Sequence, residues 1–107
     1  MVNEWRGEVA IVIDGTRHIA RLSLHSLAEL EAALGSLSLS DLVARFEGDE
    51  LRASDILALL VAALRGGGWQ GDADALAQSH IEGGLPEAMR VAARLLILAF
   101  EGPNGAS

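Results

Sequence analysis

A strongly apolar pattern runs from Ser54 to Arg65 and predicts a buried helix. At about 100° per residue, its large apolar side chains cover more than half of the helix circumference. A helix that is apolar on so many sides needs neighbours on several sides. Ser54 is expected to be its N-cap and Gly66 the left-handed residue that ends it. We therefore expect this helix to lie at the centre of the fold.

Alternating apolar and polar residues predict a β-hairpin over residues 8–24. Asp14-Gly15, between the two alternating runs, is a strong signal for a two-residue hairpin turn. This turn pairs Ile13 with Thr16 and Glu8 with Arg21. One face then carries the apolar side chains Val9, Ile11, Ile13, Ala20, Leu22 and Leu24. Because an isolated hairpin is marginal in water, this face is expected to pack on helices.

The remaining pattern is typical of amphipathic helices separated by glycine-rich connections. The predicted helices span about residues 26–34, 40–47, 54–65, 72–81 and 86–101. Ser26 and Ser38 each open a capping-box pattern, Asp72 is a good N-cap, and Pro86 suits a first helical turn. The expected fold class is α+β and mostly helical, with an N-terminal two-stranded antiparallel hairpin packed on about five helices. We expect one compact domain over residues 1–102 and a flexible tail over 103–107.

The last predicted helix has more apolar surface than one core contact requires. Its apolar arc covers about 260°, whereas a helix on the outside of a domain needs little more than about 100°. Excess apolar surface usually marks an interaction site. The predicted partner-contact residues are Val91, Leu95 and Leu98, with the acidic edge at Glu29 and Glu31 as the second candidate.

Composition limits the partners that the protein can have. The chain has 107 residues, a formal net charge of −7 and eight basic residues, all of them arginines scattered from Arg6 to Arg94. This distribution argues against a nucleic-acid partner. No uncharged apolar run reaches the roughly 20 residues of a membrane helix, and the N-terminus lacks the pattern of a signal peptide. We therefore expect a cytoplasmic protein without a membrane partner.

No group of residues predicts a reaction, a cofactor or a metal site. The chain has no cysteine, which excludes disulfides and thiolate ligands. Residues 66–68 are glycines that leave a helix C-terminus, whereas phosphate loops lead into a helix N-terminus; they are interpreted as a C-cap and hinge. Asp72 and Asp74 lack the other ligands of an EF-hand, and the three histidines are not closely spaced as zinc ligands usually are. A non-enzymatic protein is expected.

Three segments carry a resemblance to a known family: Arg6-Gly7-Glu8-Val9 with Asp14-Gly15, Leu27-Ala28-Glu29-Leu30-Glu31, and Asp55 leading into Leu64-Arg65-Gly66-Gly67-Gly68. In order and spacing they resemble the small tail proteins of gene transfer agents and related prophages, known as gene-transfer-agent family or phage tail assembly chaperone proteins. The match runs from about Arg6 to Phe100. One departure is Leu34 before Gly35, where the family often has phenylalanine.

The resemblance implies a non-enzymatic role in assembling a phage-like tail. Related chaperones are thought to keep the tape-measure protein soluble while the tail tube polymerises around it. The family has also been described as a tail tube component, which would be retained in the particle, and a small cytosolic regulatory protein is a third alternative. The implied partners are tape-measure or other tail proteins, with self-association as a further expectation. The implied location is the bacterial cytoplasm or a phage-like particle.

Overall fold

A two-stranded antiparallel hairpin precedes five helices in the computed structural model, which describes residues 7–35, 38–48, 50 and 52–101. The elements are β1 (Glu8–Ile13), β2 (Thr16–Arg21), α1 (Leu24–Leu34), α2 (Leu39–Glu47), α3 (Ala53–Gly66), α4 (Ala73–Ala77) and α5 (Gly84–Glu101). The predicted α+β class is therefore confirmed. The predicted tail over residues 103–107 lies outside the described residues.

The hairpin has the register that the sequence predicted. Glu8 lies opposite Arg21 and Ile13 opposite Thr16. Asp14 and Gly15 form the turn with φ values of 51° and 81°, as the primed two-residue turns of hairpins require. The second strand is shorter than predicted, because it ends at Arg21 and Leu24 begins α1 with 84% of its surface exposed. The buried hairpin residues are Val9, Ile11, Ile13, Ala20 and Leu22.

Two of the predicted helix N-caps are wrong. Ser23 caps α1, since its side chain accepts a hydrogen bond from the Ser26 N–H at 3.1 Å. Ser26 itself is buried, and its hydroxyl donates to the carbonyl of Arg21 at 3.4 Å. At α3, the Asp55 carboxylate accepts from the Arg52 N–H at 3.1 Å. The first helical residue is consequently Ala53, and Ser54 lies inside the first turn rather than before it.

The two other predicted caps are confirmed. Ser38 and Asp41 form a reciprocal capping box, with both hydrogen bonds at 3.1 Å. Hydrogen bonding with Ser38, first through its backbone N–H and second through its side chain, lowers the pKa of Asp41. Asp72 accepts from the Ala75 N–H at 2.9 Å and caps α4.

The fourth helix is shorter than the predicted span of residues 72–81, since α4 ends at Ala77. The chain that follows it pairs with the hairpin instead. Ile81 forms an antiparallel bridge with Ile13, and the Glu82 N–H donates to the Val12 carbonyl at 3.0 Å. Extended pairing with β1 is incompatible with helix at these positions, so a tertiary contact ends α4 early.

Helix α3 occupies the centre of the fold, as its apolar pattern predicted. It packs on α1, α4, α5 and β2. Leu59, Leu60 and Leu64 are each at most 1% exposed. Neighbours on several sides account for the wide apolar arc of this helix.

The glycines after α3 allow a close approach to β2. A Cβ atom on Gly67 would lie 1.8 Å from the carbonyl oxygen of Ile19, and one on Gly66 would lie 2.2 Å from that of Arg21. Gly66 was predicted to be the left-handed residue, and this is wrong: Gly68 has the positive φ, 107°, while Gly66 is the last residue of α3. The helix end therefore needs glycine mainly for space.

The described part of the chain contains no helix that combines the length and the hydropathy needed to cross a membrane.

Candidate protein-binding groove

The predicted contact residues of α5 are buried. Val91, Leu95 and Leu98 are 0%, 1% and 7% exposed. Helix α5 packs on both α3 and β1, so its core-facing arc is wider than a single packing contact would require. The exposure predicted for these three residues is therefore wrong, and the accessible apolar surface of α5 lies elsewhere.

The predicted acidic edge lies on α1. Glu29 is 3.3 Å from His25 Nε2 and 3.7 Å from Arg65 Nε, whereas Glu31 is exposed. The first carboxylate is thus already engaged with groups of its own chain. A contact with a partner at Glu29 and Glu31 stays a prediction.

An apolar groove lies between α2 and α5. Its volume is about 520 Å³, and its lining residues are Ser40, Val43, Phe46, Glu47, Ala93, Leu96 and Ile97. Ile97 is 45% exposed, and Val43 and Phe46 are half-buried. Large apolar side chains that line an accessible depression are typical of sites that bind an apolar segment of another molecule.

The helical repeat of each wall explains the groove. On α2, Leu42 is fully buried and anchors the helix, while Val43 and Phe46 lie beside it toward α5. On α5, residues 93, 96 and 97 have the i, i+3, i+4 spacing of one helix face. No partner contact was predicted on α2. The signal that could have found it is the pair Val43 and Phe46, which lie three residues apart on α2 beside the anchoring Leu42.

Charge on α2 is divided between its two sides. The Arg45 guanidinium lies 3.0 Å from the carboxylate of Asp55, which is only 5% exposed, in a separate depression between α1, α2 and α3. A buried carboxylate requires such a partner. Asp41 is exposed and lines that same depression, whereas Glu47 is exposed and lines the groove. The groove side of α2 therefore carries the acidic charge of Glu47.

The first half of α5 carries an ion pair beside the hairpin. Arg90 donates two hydrogen bonds of 2.8 Å to Glu87. These bonds lower the pKa of Glu87 and raise the pKa of Arg90. Both side chains line a depression against Ala10 and Val12 of β1, separate from the apolar groove.

A second apolar depression lies at the other end of α5, between α3 and α4, with a volume of about 340 Å³. Leu85, 61% exposed, is on its edge, and Ile56 and Leu76 are among its lining residues. Among the residues that the structure describes, no three His, Asp or Glu side chains are grouped so as to hold a metal ion.

Comparison with known proteins identifies a family. A family model described as phage tail tube protein, GTA-gp10, matches residues 6–102. No curated protein and no solved structure matches the chain. Because the family model covers most of the sequence, the chain belongs to the GTA-gp10 family of phage tail proteins, in agreement with the resemblance found in its hairpin and glycine segments.

Proposed function

We propose that this protein is a non-enzymatic assembly chaperone of a phage-like tail. It binds an apolar helical segment of another tail protein, in the first place the tape-measure protein, in the groove between α2 and α5. The observation that carries the proposal is the apolar lining of this groove, with Ile97 45% exposed on a chain of net charge −7. Such a surface marks an interaction site, and membership of a tail family supports a tail protein as the partner.

The dimensions of the groove fit a helix. Its shorter wall, α2, has nine residues and is about 13 Å long at about 1.5 Å per residue. A helix laid along it could insert two or three apolar anchors at i, i+3 or i+4, and i+7, as in other helix-in-groove complexes. A contact of this size is small, so binding is expected to be reversible, as a chaperone that releases its client requires.

The alternative is a structural subunit that remains in the tail tube, and the description of the family favours it. A subunit of a ring or tube joins its neighbours through two different surfaces. The groove and the Leu85 depression are two separate apolar surfaces at opposite ends of α5 and could serve that purpose. The family match does not support the third alternative, a small cytosolic regulator.

Co-expression with the tape-measure protein, followed by analysis of purified particles, tests the proposal. A chaperone should raise the soluble fraction of the tape-measure protein and be absent from finished particles when these are analysed by quantitative mass spectrometry. A tube subunit should be present in the particles in many copies per tail. Absence from the particles together with no effect on solubility would contradict both functions.

A pair of variants locates the activity. Ile97→Glu places a charge in the groove, and Leu24→Glu places one on α1; both side chains are exposed, so both variants should fold. We expect Ile97→Glu to lose the solubilising effect and Leu24→Glu to keep it, with circular dichroism confirming that both are helical. Full activity of a folded Ile97→Glu variant would mean that the client binds elsewhere.

A further inference from the structure

We infer that the groove between α2 and α5 selects an amphipathic helix whose apolar stripe is flanked by arginine or lysine on the side that faces α2. This inference rests on the proposed function, since it describes the chemistry of the client in the same groove. It adds a charge requirement that the apolar lining does not impose by itself.

The acidic charge of the α2 wall comes from Glu47, which is exposed and lines the groove. Asp41 lies on the other side of α2, where it lines a separate depression with Arg45. Arg45, the basic residue of α2, lies 3.0 Å from Asp55 in the depression on the other side of the helix. Arg52 lines that same depression. The basic residues of this region are therefore turned away from the groove.

The α5 wall differs from the α2 wall. It contributes Ala93, Leu96 and Ile97, which carry no charge. Arg90 is held by Glu87 in another depression, and Arg94 is half-buried with an interaction of its own. The charge in the groove lining is consequently that of Glu47 on the α2 wall, while the α5 wall is apolar. A helix with basic residues along one edge of its apolar stripe is complementary to both walls at once.

The expected size of this preference follows from exposed ion pairs. Attraction between Glu47 and a basic residue contributes about 0.2–1 kcal/mol, and repulsion of an acidic residue is of similar size. A lysine and a glutamate beside Glu47 should therefore differ roughly fivefold in affinity. The effect should weaken as salt screens exposed charges, because the Debye length falls from about 10 Å at 0.1 M to about 3 Å at 1 M. Rim charges also orient the partner and speed its association.

Two synthetic peptides test the inference. Both are 18-residue amphipathic helices with the same leucine stripe, and the positions along one edge of the stripe are lysine in the first and glutamate in the second. Calorimetric titration of the full-length protein should show about fivefold tighter binding of the lysine peptide at 50 mM salt and nearly equal binding at 1 M. Glu47→Lys should remove most of the difference at 50 mM salt.

Glu82→Lys is the matched control, since it changes the net charge by the same amount at an exposed position that lines the depression beside β1. It should leave most of the preference intact. An equal loss in both variants would overturn the inference, because the preference would then come from net charge alone. Equal binding of the two peptides, or tighter binding of the glutamate peptide, would overturn it as well and leave the groove as the binding site.

Two further outcomes separate this inference from the proposed function. Failure of both peptides to bind would contradict the proposed groove itself, and with it the charge requirement. Sedimentation of the protein alone tests a second copy as the occupant. A dimer that Ile97→Glu dissociates would show the groove filled by another copy of this chain and would overturn the inference.

Discussion

At the scale of single residues, Gly67 shows how closely α3 approaches the hairpin. Replacement by alanine would place a Cβ atom 1.8 Å from the carbonyl oxygen of Ile19, which is backbone and cannot move aside alone. We expect Gly67→Ala to lower the free energy of unfolding by about 1–3 kcal/mol, as overpacking substitutions do. Urea unfolding measures this loss.

Gly48→Ala is the control for that prediction. Its Cβ would lie 3.3 Å from the carbonyl oxygen of Ala44 and 3.3 Å from the end of the flexible Glu50 side chain. Its effect should stay within about 0.5 kcal/mol, as is usual for surface substitutions. Equal unfolding midpoints for the Gly67 variant and the parent protein would show that the end of α3 is not packed on β2 as described.

The caps show what local sequence can predict and what it cannot. Ser38 and Asp72 were identified correctly as N-caps. Their side chains accept from the backbone N–H groups of Asp41 and Ala75, three residues later, which is the local spacing that the sequence shows. The prediction of Ser26 as the N-cap of α1 was wrong, because the hydroxyl of Ser23, three residues earlier, accepts the capping hydrogen bond instead. The choice between the two serines depends on Arg21, whose carbonyl accepts from the buried Ser26 hydroxyl. That contact belongs to the tertiary structure and leaves no local pattern.

At the scale of elements, the hairpin was predictable and the surface of α5 was not. Alternation and the Asp14-Gly15 turn both specify the register of β1 and β2, since a slip by one residue would invert both faces. The apolar arc of α5 indicates how much of its surface is apolar, but it does not indicate how many other elements pack on that surface. Leu95 and Leu98 are buried because α5 contacts both α3 and β1.

Helix α2 is expected to be less stable than α3. Its described side chains bury one leucine fully, Leu42, and it makes no extensive packing contact of the kind that α3 makes with α1, α4, α5 and β2. Backbone amides that depend on few buried contacts open more easily. Hydrogen exchange should therefore be faster by at least tenfold in the middle of α2 than in the middle of α3. Equal protection of the two helices would contradict this difference.

At the scale of the whole molecule, one helix supports both the core and the candidate site. The C-terminal glycines of α3 pack closely on β2 of the hairpin, and α3 also packs on α5. Asp55, in the first turn of α3, holds α2 through Arg45 at 3.0 Å. The two walls of the groove are thus fixed to α3 by different contacts.

The most direct test of the account is to map the binding site in solution. Backbone amide resonances of the full-length protein would be followed by NMR while the lysine-flanked amphipathic peptide is added. We expect the largest changes at residues that line the groove, such as Val43, Phe46, Ala93 and Ile97, and small changes around Leu85. Changes centred on the Leu85 depression or on the Glu29 edge, with the groove unaffected, would contradict the central claim that the groove between α2 and α5 binds the client.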